Sequence, residues 1–445
     1  MDISTGSETD DFLARRGAIH APARQPRPRA FDCDDTDDTF RGRLRDAVDC
    51  IKPDVLTSLC AYRIGFEGST TELSLLVTVL PGSLTPSEAV QAIIKLSAVL
   101  ESYDKRLGDI AIEVAEQTIF LADGGQTEAE TSPGKKPSEE VKSMSYGASP
   151  PTGSSIGLAD DQQGAGTLGA FLRIVTDGTA QYFGLTCSHV LSSSKMPTEP
   201  GRDVSSVVCP ADRDNLHWWL AAENIIRFRS TAFARVQEAQ AQKLHCMTFQ
   251  RTAGAMYASS GLRASLLDHW VLDWALIKLD PARFTFEQLH NFPSQSSCER
   301  FEVDLSGDDW KETDWKRRTT YAAAAKGSRV FKIGRTTGHT AGRLHDIDSS
   351  VTIGYTVDRP HGKRNVLVKG KALVVHPGNS RFADCGDSGA LVLNGHIEAV
   401  GIVTAVANGS VASGAVYVSP FEAVIDDIKE ILQRGPVGKV QVELL

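Results

Sequence analysis

The sequence predicts a mostly β protein, with a small α/β domain in front of it and a helix near its end. Two observations predict the β part. From about residue 166 onward, short runs of β-prone residues dominate, and glycine-bearing turns separate them. A third observation predicts the α/β part: between residues 50 and 121 a strand, a helix and a second strand follow in close order.

Residues 1–45 are expected to form a disordered tail. Arg24, Pro26, Arg27, Pro28 and Arg29 precede an acidic run at Asp32, Asp34, Asp35, Asp37 and Asp38, and apolar periodicity is absent. The small α/β domain is placed at 46–121. Leu73–Leu80 is a continuous apolar run stopped by Pro81-Gly82, as a buried strand requires. Thr85-Pro86-Ser87-Glu88 reads as a capping box, with Thr85 as N-cap, Pro86 in the first helical position and Glu88 reaching back. Val90, Ile93, Ile94, Leu96, Val99 and Leu100 then line one helix face, and Ile110, Ile112 and Val114 alternate as a strand. No glycine-rich phosphate loop accompanies this unit, so a scaffolding or docking role is expected. Residues 122–165 are rich in Gly, Ser, Pro, Glu and Lys and are expected to be a flexible linker.

The β runs beyond it are Phe171–Val175, Tyr182–Leu185, Val271–Leu279, Arg329–Ile333, Val351–Thr356, Val366–Val368, Ala390–Leu393, Ala399–Val403 and Ala415–Val418. This pattern suits an antiparallel barrel or sandwich. Within 211–245, Leu220, Ile225, Phe228, Phe233 and Val236 fit helical spacing better. Phe421, Val424, Ile425, Ile428 and Ile431 mark an amphipathic helix, and 436–445 is expected to be a tail.

Composition narrows the function classes. Hydrophobic residues are 41% and charged residues 23% of 445, which is globular. The net charge of −9 argues against a general nucleic-acid binder, because phosphate neutralisation needs a basic face. There is no apolar run of membrane-spanning length and no signal-peptide pattern at Met1–Glu8. Eight cysteines without a CxxC pair are expected to be free thiols in an intracellular compartment, cytoplasm or nucleus.

Chemistry concentrates at Cys385-Gly386-Asp387-Ser388-Gly389-Ala390-Leu391-Val392. Glycines flank a serine just before an apolar strand, which exposes a hydroxyl on a tight turn. The backbone N–H groups of Gly386 and Ser388 can then converge on a developing oxyanion. Among 11 histidines, His189 stands out in Thr186-Cys187-Ser188-His189-Val190-Leu191, at the end of a β run. Asp273 lies inside the apolar run Val271–Leu279, where a carboxylate is costly without a partner. Asp268 and Asp280, at the ends of that run, read as solvated turn acids.

The order His, Asp, Ser resembles that of trypsin- and chymotrypsin-like serine peptidases. T-C-S-H-V-L is similar to that family's T-A-A-H-C, L-D-W-A-L-I-K-L to its D-I-A-L-L-K-L, and C-G-D-S-G-A-L-V to its G-D-S-G-G-P-V. Lys332–Gly342 resembles the G-R-T-T-G turn of bacterial relatives and of plant narrow-leaf-type proteases. The resemblance covers about 166–435 and implies two antiparallel β-barrels of the chymotrypsin type with a C-terminal helix. It implies Ser388 as nucleophile, His189 as general base and acid, Asp273 as the orienting acid, and the amides of Gly386 and Ser388 as oxyanion hole. Asp387 is expected to hold the turn rather than transfer protons.

The sequence also departs from the family. Val190 stands where the disulfide cysteine beside the histidine would be, and no activation peptide is recognisable. The 83 residues between His189 and Asp273 leave room for a helical insertion. By family pattern, Phe382, Thr404, Val406 and Gly414 would line the substrate pocket, with Phe382 arguing against cleavage after Lys or Arg and Val406 narrowing the neck. Small or medium apolar side chains are the expected preference. The expected partners are polypeptides, with no nucleic acid, membrane, metal or cofactor. The competing reading is a protease fold whose cleft is occluded or silent. A cysteine hydrolase using Cys385 or Cys187 fits poorly, because neither occupies the turn position beside the oxyanion donors. A metallohydrolase lacks an HExxH or equivalent spacing.

Overall fold

The computed structural model describes residues 3–5, 12–16, 38–64, 72–121, 139–162, 164–192, 196–202, 205–228, 233–291, 320–359, 362–377, 381–408, 414–434 and 439–445. Residues 17–37 of the expected tail and 122–138 of the expected linker lie outside them, as do Cys33 and Cys298. The described chain is mostly β, with seven α-helices. No helix in it is long and apolar enough to cross a membrane. It divides into two compact units. One comprises Met1–Phe120, His345–Val374 and Ala407–Ala415, and the other comprises the rest.

In the first unit, strands run side by side in the order Ile3–Thr5, Phe12–Arg16, Ala111–Glu116, Glu72–Val79, Leu56–Ile64, Ser349–Arg359 and Gly362–Pro377, the last of which leaves the unit after Val374. Glu72–Val79 and Ala111–Glu116 are parallel, joined by the helix Pro86–Tyr103. The helix starts as expected. Thr85 accepts from the Glu88 amide, Glu88 reaches back to the Thr85 amide, and Pro86 follows the cap. The apolar run of Glu72–Val79 is continuous because both its faces are covered. Leu75, Val77 and Val79 pack with helix residues Ala89, Ile93, Leu96 and Leu100, while Leu76 packs with Cys60, Tyr62 and Ala115.

Three features of this unit were not expected. Short strands occur at Ile3–Thr5 and Phe12–Arg16, and the helix Asp38–Asp49 begins inside the expected tail. That helix is held by Phe40, Leu44 and Val48, which are buried in the same core as the βαβ segment. The hairpin 349–374, expected among the β runs of the peptidase domain, pairs instead with Leu56–Ile64 through Ser350↔Leu59 and Val351↔Ser58.

The second unit holds two large antiparallel sheets and a two-stranded one, Arg263–Ala264 with Val271–Leu272. One large sheet runs Val440–Leu444, Ala170–Thr176, Thr179–Thr186, Ala275–Leu279, Thr252–Ser259, Ser206–Val208, Ser155–Leu158, Gly166–Thr167. The other runs from 375–377 through Gly338–Leu344, Arg329–Gly334, Leu391–Asn394, Ala399–Asn408 (to Val406 in this unit) and Val416–Pro420. One hydrophobic core joins Phe171, Phe183, Leu276 and Trp274 to Leu391, Ile402, Phe421 and Ile428. The expected C-terminal tail forms a strand, its register set by Val440↔Thr176 through Leu444↔Leu172. Val440 and Leu444 bury their side chains there. The expected linker contains the helix Glu139–Ser145 and the strand Ser155–Leu158. The helical insertion is two helices, Asp212–Arg227 and Phe233–Thr248.

Candidate active site

Each of the three singled-out side chains is presented by a break in regular structure. The strand Thr179–Thr186 ends and a single helical turn, Ser188–Leu191, carries His189. The expected strand Val271–Leu279 is interrupted between Leu272 and Ala275, where Asp273 turns away from the ladder. The interruption is stabilised on its far side, where the Ser260 hydroxyl accepts from the Trp274 amide at 2.8 Å. The Trp274 indole donates to Asp427 of the C-terminal helix, also at 2.8 Å. Ser388 sits on the turn before the strand Leu391–Asn394.

These three residues meet. His189 Nε2 lies 2.8 Å from Ser388 Oγ. His189 Nδ1 bonds Asp273 Oδ2, and the His189 backbone N–H donates to Asp273 Oδ1 at 3.1 Å. Two bonds from one carboxylate fix both the ring and the backbone beneath it. The Nδ1 contact makes that nitrogen the donor, which leaves Nε2 as an acceptor for the serine proton. All three side chains are buried, so Asp273 has the partner that its burial requires.

The turn around Ser388 depends on glycine. Gly386 has φ +99° and Gly389 φ +88°. A Cβ at Gly386 would collide with the Arg335 guanidinium and the Thr336 hydroxyl, and one at Gly389 with the Thr186 hydroxyl. The amides of Gly386 and Ser388 have no protein acceptor among the described residues, whereas those of Asp387 and Gly389 donate to Asp384 and Val403. Thr167 is an anchor that has no sequence signature. Its amide donates to the Ser388 carbonyl at 2.8 Å and its hydroxyl to the Gly386 carbonyl at 3.0 Å.

Asp387 points away from the imidazole and into the turn Arg335–Gly338. Its carboxylate accepts from the Thr336 amide at 2.7 Å, the Thr337 hydroxyl at 2.7 Å and the Asp384 amide at 2.9 Å. Lys332 Nζ lies 3.3 Å away and is fully buried with it. Burial pushes the Lys332 amine below its ordinary value and Asp387 opposes that. The Lys332–Gly342 segment is therefore the cradle of the serine turn, a role that its sequence alone does not reveal.

Phe382 is fully buried, with its ring 5.8 Å from Lys332 Nζ and its carbonyl accepting from Thr340 Oγ1 at 2.6 Å. Thr404 is buried and shares a 2.8 Å hydrogen bond with Ser419. Val406 is buried and pairs with Val416. Gly414, with φ +88°, groups with the first unit.

Cys187, His189 and Asp273 offer donor atoms within 4.8 Å of one another. They are already committed, Cys187 Sγ to the Val403 carbonyl at 3.1 Å and the other two to each other, so a metal ion there would have to break the imidazole–carboxylate bond. Cys385, half-buried, has its amide bonded to Asp384 and lies three residues before the serine.

Comparison with known proteins gives the arrangement a family. No curated protein matches the chain. Solved structures similar to the chain include Thermobifida fusca protease A (14% identity, covering 66% of this chain and 97% of that one, TM-score 0.30). A Nocardiopsis protease is 15% identical over 66% and 97%, with a TM-score of 0.32. Cellulomonas bogoriensis chymotrypsin is 15% identical over 62% and 94%, with a TM-score of 0.30. The sequence model of peptidase family S64 matches residues 111–408, about two thirds of the chain. The chain belongs to peptidase family S64 and is a serine-type peptidase.

Proposed function

We propose that this peptidase is an endopeptidase working through Ser388, His189 and Asp273. The observation that carries the reading is the 2.8 Å contact between Ser388 Oγ and His189 Nε2, with Asp273 bonded to the opposite ring nitrogen. Ser388 Oγ attacks the scissile carbonyl while His189 Nε2 takes its proton. The negative charge that forms on the carbonyl oxygen is met by the amides of Gly386 and Ser388. Collapse of the tetrahedral species expels the amine, to which His189 returns the proton, and leaves an acyl group on Ser388. Water, deprotonated by the same imidazole, then releases the acid. Asp273 keeps the ring in the productive tautomer and stabilises the imidazolium.

We read the two large sheets of the second unit as the two halves of a chymotrypsin-type double barrel. The free thiols at Cys50, Cys60, Cys187, Cys209, Cys246 and Cys385 support an intracellular setting. The G-R-T-T-G turn supports kinship with the plant narrow-leaf type. Phe382 and Val406 support a preference for small or medium apolar residues before the cleaved bond. A peptide-library cleavage profile tests it, and dominance of cleavage after Lys or Arg would overturn it.

A second reading, a covered site on a binding protein, is favoured by the burial of the Ser388 and His189 side chains. Labelling by a fluorophosphonate, which reacts only with an open and activated serine, separates the two.

A further inference from the structure

An oxyanion donor is useful only if its peptide plane points the right way. Gly386 N–H belongs to the Cys385–Gly386 peptide, which turns as one rigid plane. Because Gly386 has no Cβ, the flipped orientation, with the carbonyl in place of the N–H, is sterically open to it. Something outside the turn must choose between the two.

The carbonyl of that same peptide, Cys385 C=O, accepts from Thr336 Oγ1 at 2.7 Å. The hydroxyl has one proton to give. One of its two lone pairs accepts from Arg335 Nη1 at 3.1 Å, a group that can only donate, whereas the Cys385 carbonyl can only accept. The Thr336 proton is therefore committed to Cys385. Arg335 is in turn held bidentate by Asp214, through Nε to Oδ2 at 2.7 Å and Nη2 to Oδ1. Both side chains are buried, and the Ser155 hydroxyl donates to the same carboxylate. Asp214 lies in the first turn of the helix Asp212–Arg227, the insertion between His189 and Asp273. The second donor is held separately. Ser388 N–H belongs to the Asp387–Ser388 peptide, whose carbonyl accepts from the Ala390 amide at 3.0 Å inside the turn.

We propose that Thr336 is a positioning residue that sets the Gly386 N–H toward the oxyanion. Through Asp214 and Arg335, the inserted helix is coupled to the hydroxyl that holds this oxyanion donor. The proposal rests on the serine-peptidase reading above and deepens it. Thr336 touches neither substrate nor imidazole, so its loss acts on transition-state charge and leaves ground-state binding alone.

The test uses the full chain, with a tetrapeptide p-nitroanilide ending in Leu and the matching peptide aldehyde, whose hemiacetal oxygen needs the same donors. Thr336→Val keeps the shape and removes the hydroxyl. The expected result is a fall in kcat of about 10²–10³-fold, the size of one lost oxyanion donor, with KM within about twofold. Aldehyde affinity falls by the same factor as kcat/KM. Thr336→Ser recovers most of the activity, and Asp214→Asn lowers kcat without raising KM. If Thr336→Val does not fold, Thr336→Ala gives the same readout. A folded Thr336→Val enzyme with wild-type kcat would overturn the relay, as would a loss carried by KM or one that serine does not rescue. A wild type that neither cleaves nor reacts with fluorophosphonate would overturn the peptidase reading and the relay together.

Discussion

Asp273 has the most demanding position of any residue in the site. It is a buried carboxylate in an otherwise apolar segment, and both its oxygens are used on one histidine. An asparagine there keeps the size, but the His189 backbone N–H claims its oxygen and its amide N–H then faces Nδ1, so the ring loses the tautomer that leaves Nε2 free. Asp273→Asn is therefore expected to lower kcat about 10⁴-fold, roughly 5.4 kcal/mol of barrier, with the fold retained by circular dichroism and thermal unfolding. His189, Asp273 and Ser388 were legible in the sequence because nucleophile chemistry restricts their neighbours: glycines around the serine, apolar residues around the acid, a strand end before the histidine. Thr336, Thr167 and Asp214 were not. Each acts across 49 to 219 positions of chain through an ordinary hydrogen bond, and nothing local distinguishes such a threonine or aspartate from a solvated one. The buried thiols follow the same division. Burial holds Cys60 and Cys209 up at about 12, which suits inert core residues rather than nucleophiles.

At the scale of elements, local signals were read well and distant pairings were not. The capping box at Thr85 and Glu88 fixed the start of its helix, because N-cap chemistry is complete within four residues. The hairpin 349–374 was recognisable as strands, but its partner was not, since Ser350 and Val351 bond to Leu59 and Ser58 nearly three hundred residues earlier. That pairing has a consequence for dissection. Removing residues 1–120 strips Ser349–Arg359 of its neighbouring strand and Ile347 of the Leu76, Cys60 and Tyr62 face against which it packs, and so uncovers an edge. The shortened chain is expected to be aggregated or to lose several degrees or more of thermal stability, as read by size-exclusion chromatography and calorimetry. A monodisperse, fully active 121–445 chain would show that the hairpin stands without its partner.

For the whole molecule, the mostly β class followed from the spacing of glycine-bearing turns, and the family match at 111–408 agrees with the motif order. The division into units did not follow, because the first unit is assembled from three separate stretches of sequence and no composition shift marks where the chain returns to it. What the protein does depends on whether the assembled triad can be reached. Fluorophosphonate labelling of the full chain, beside Ser388→Ala and His189→Ala, decides this most directly. The account predicts a single label on the wild type, abolished by either substitution. Folded wild-type protein that takes no label would contradict it.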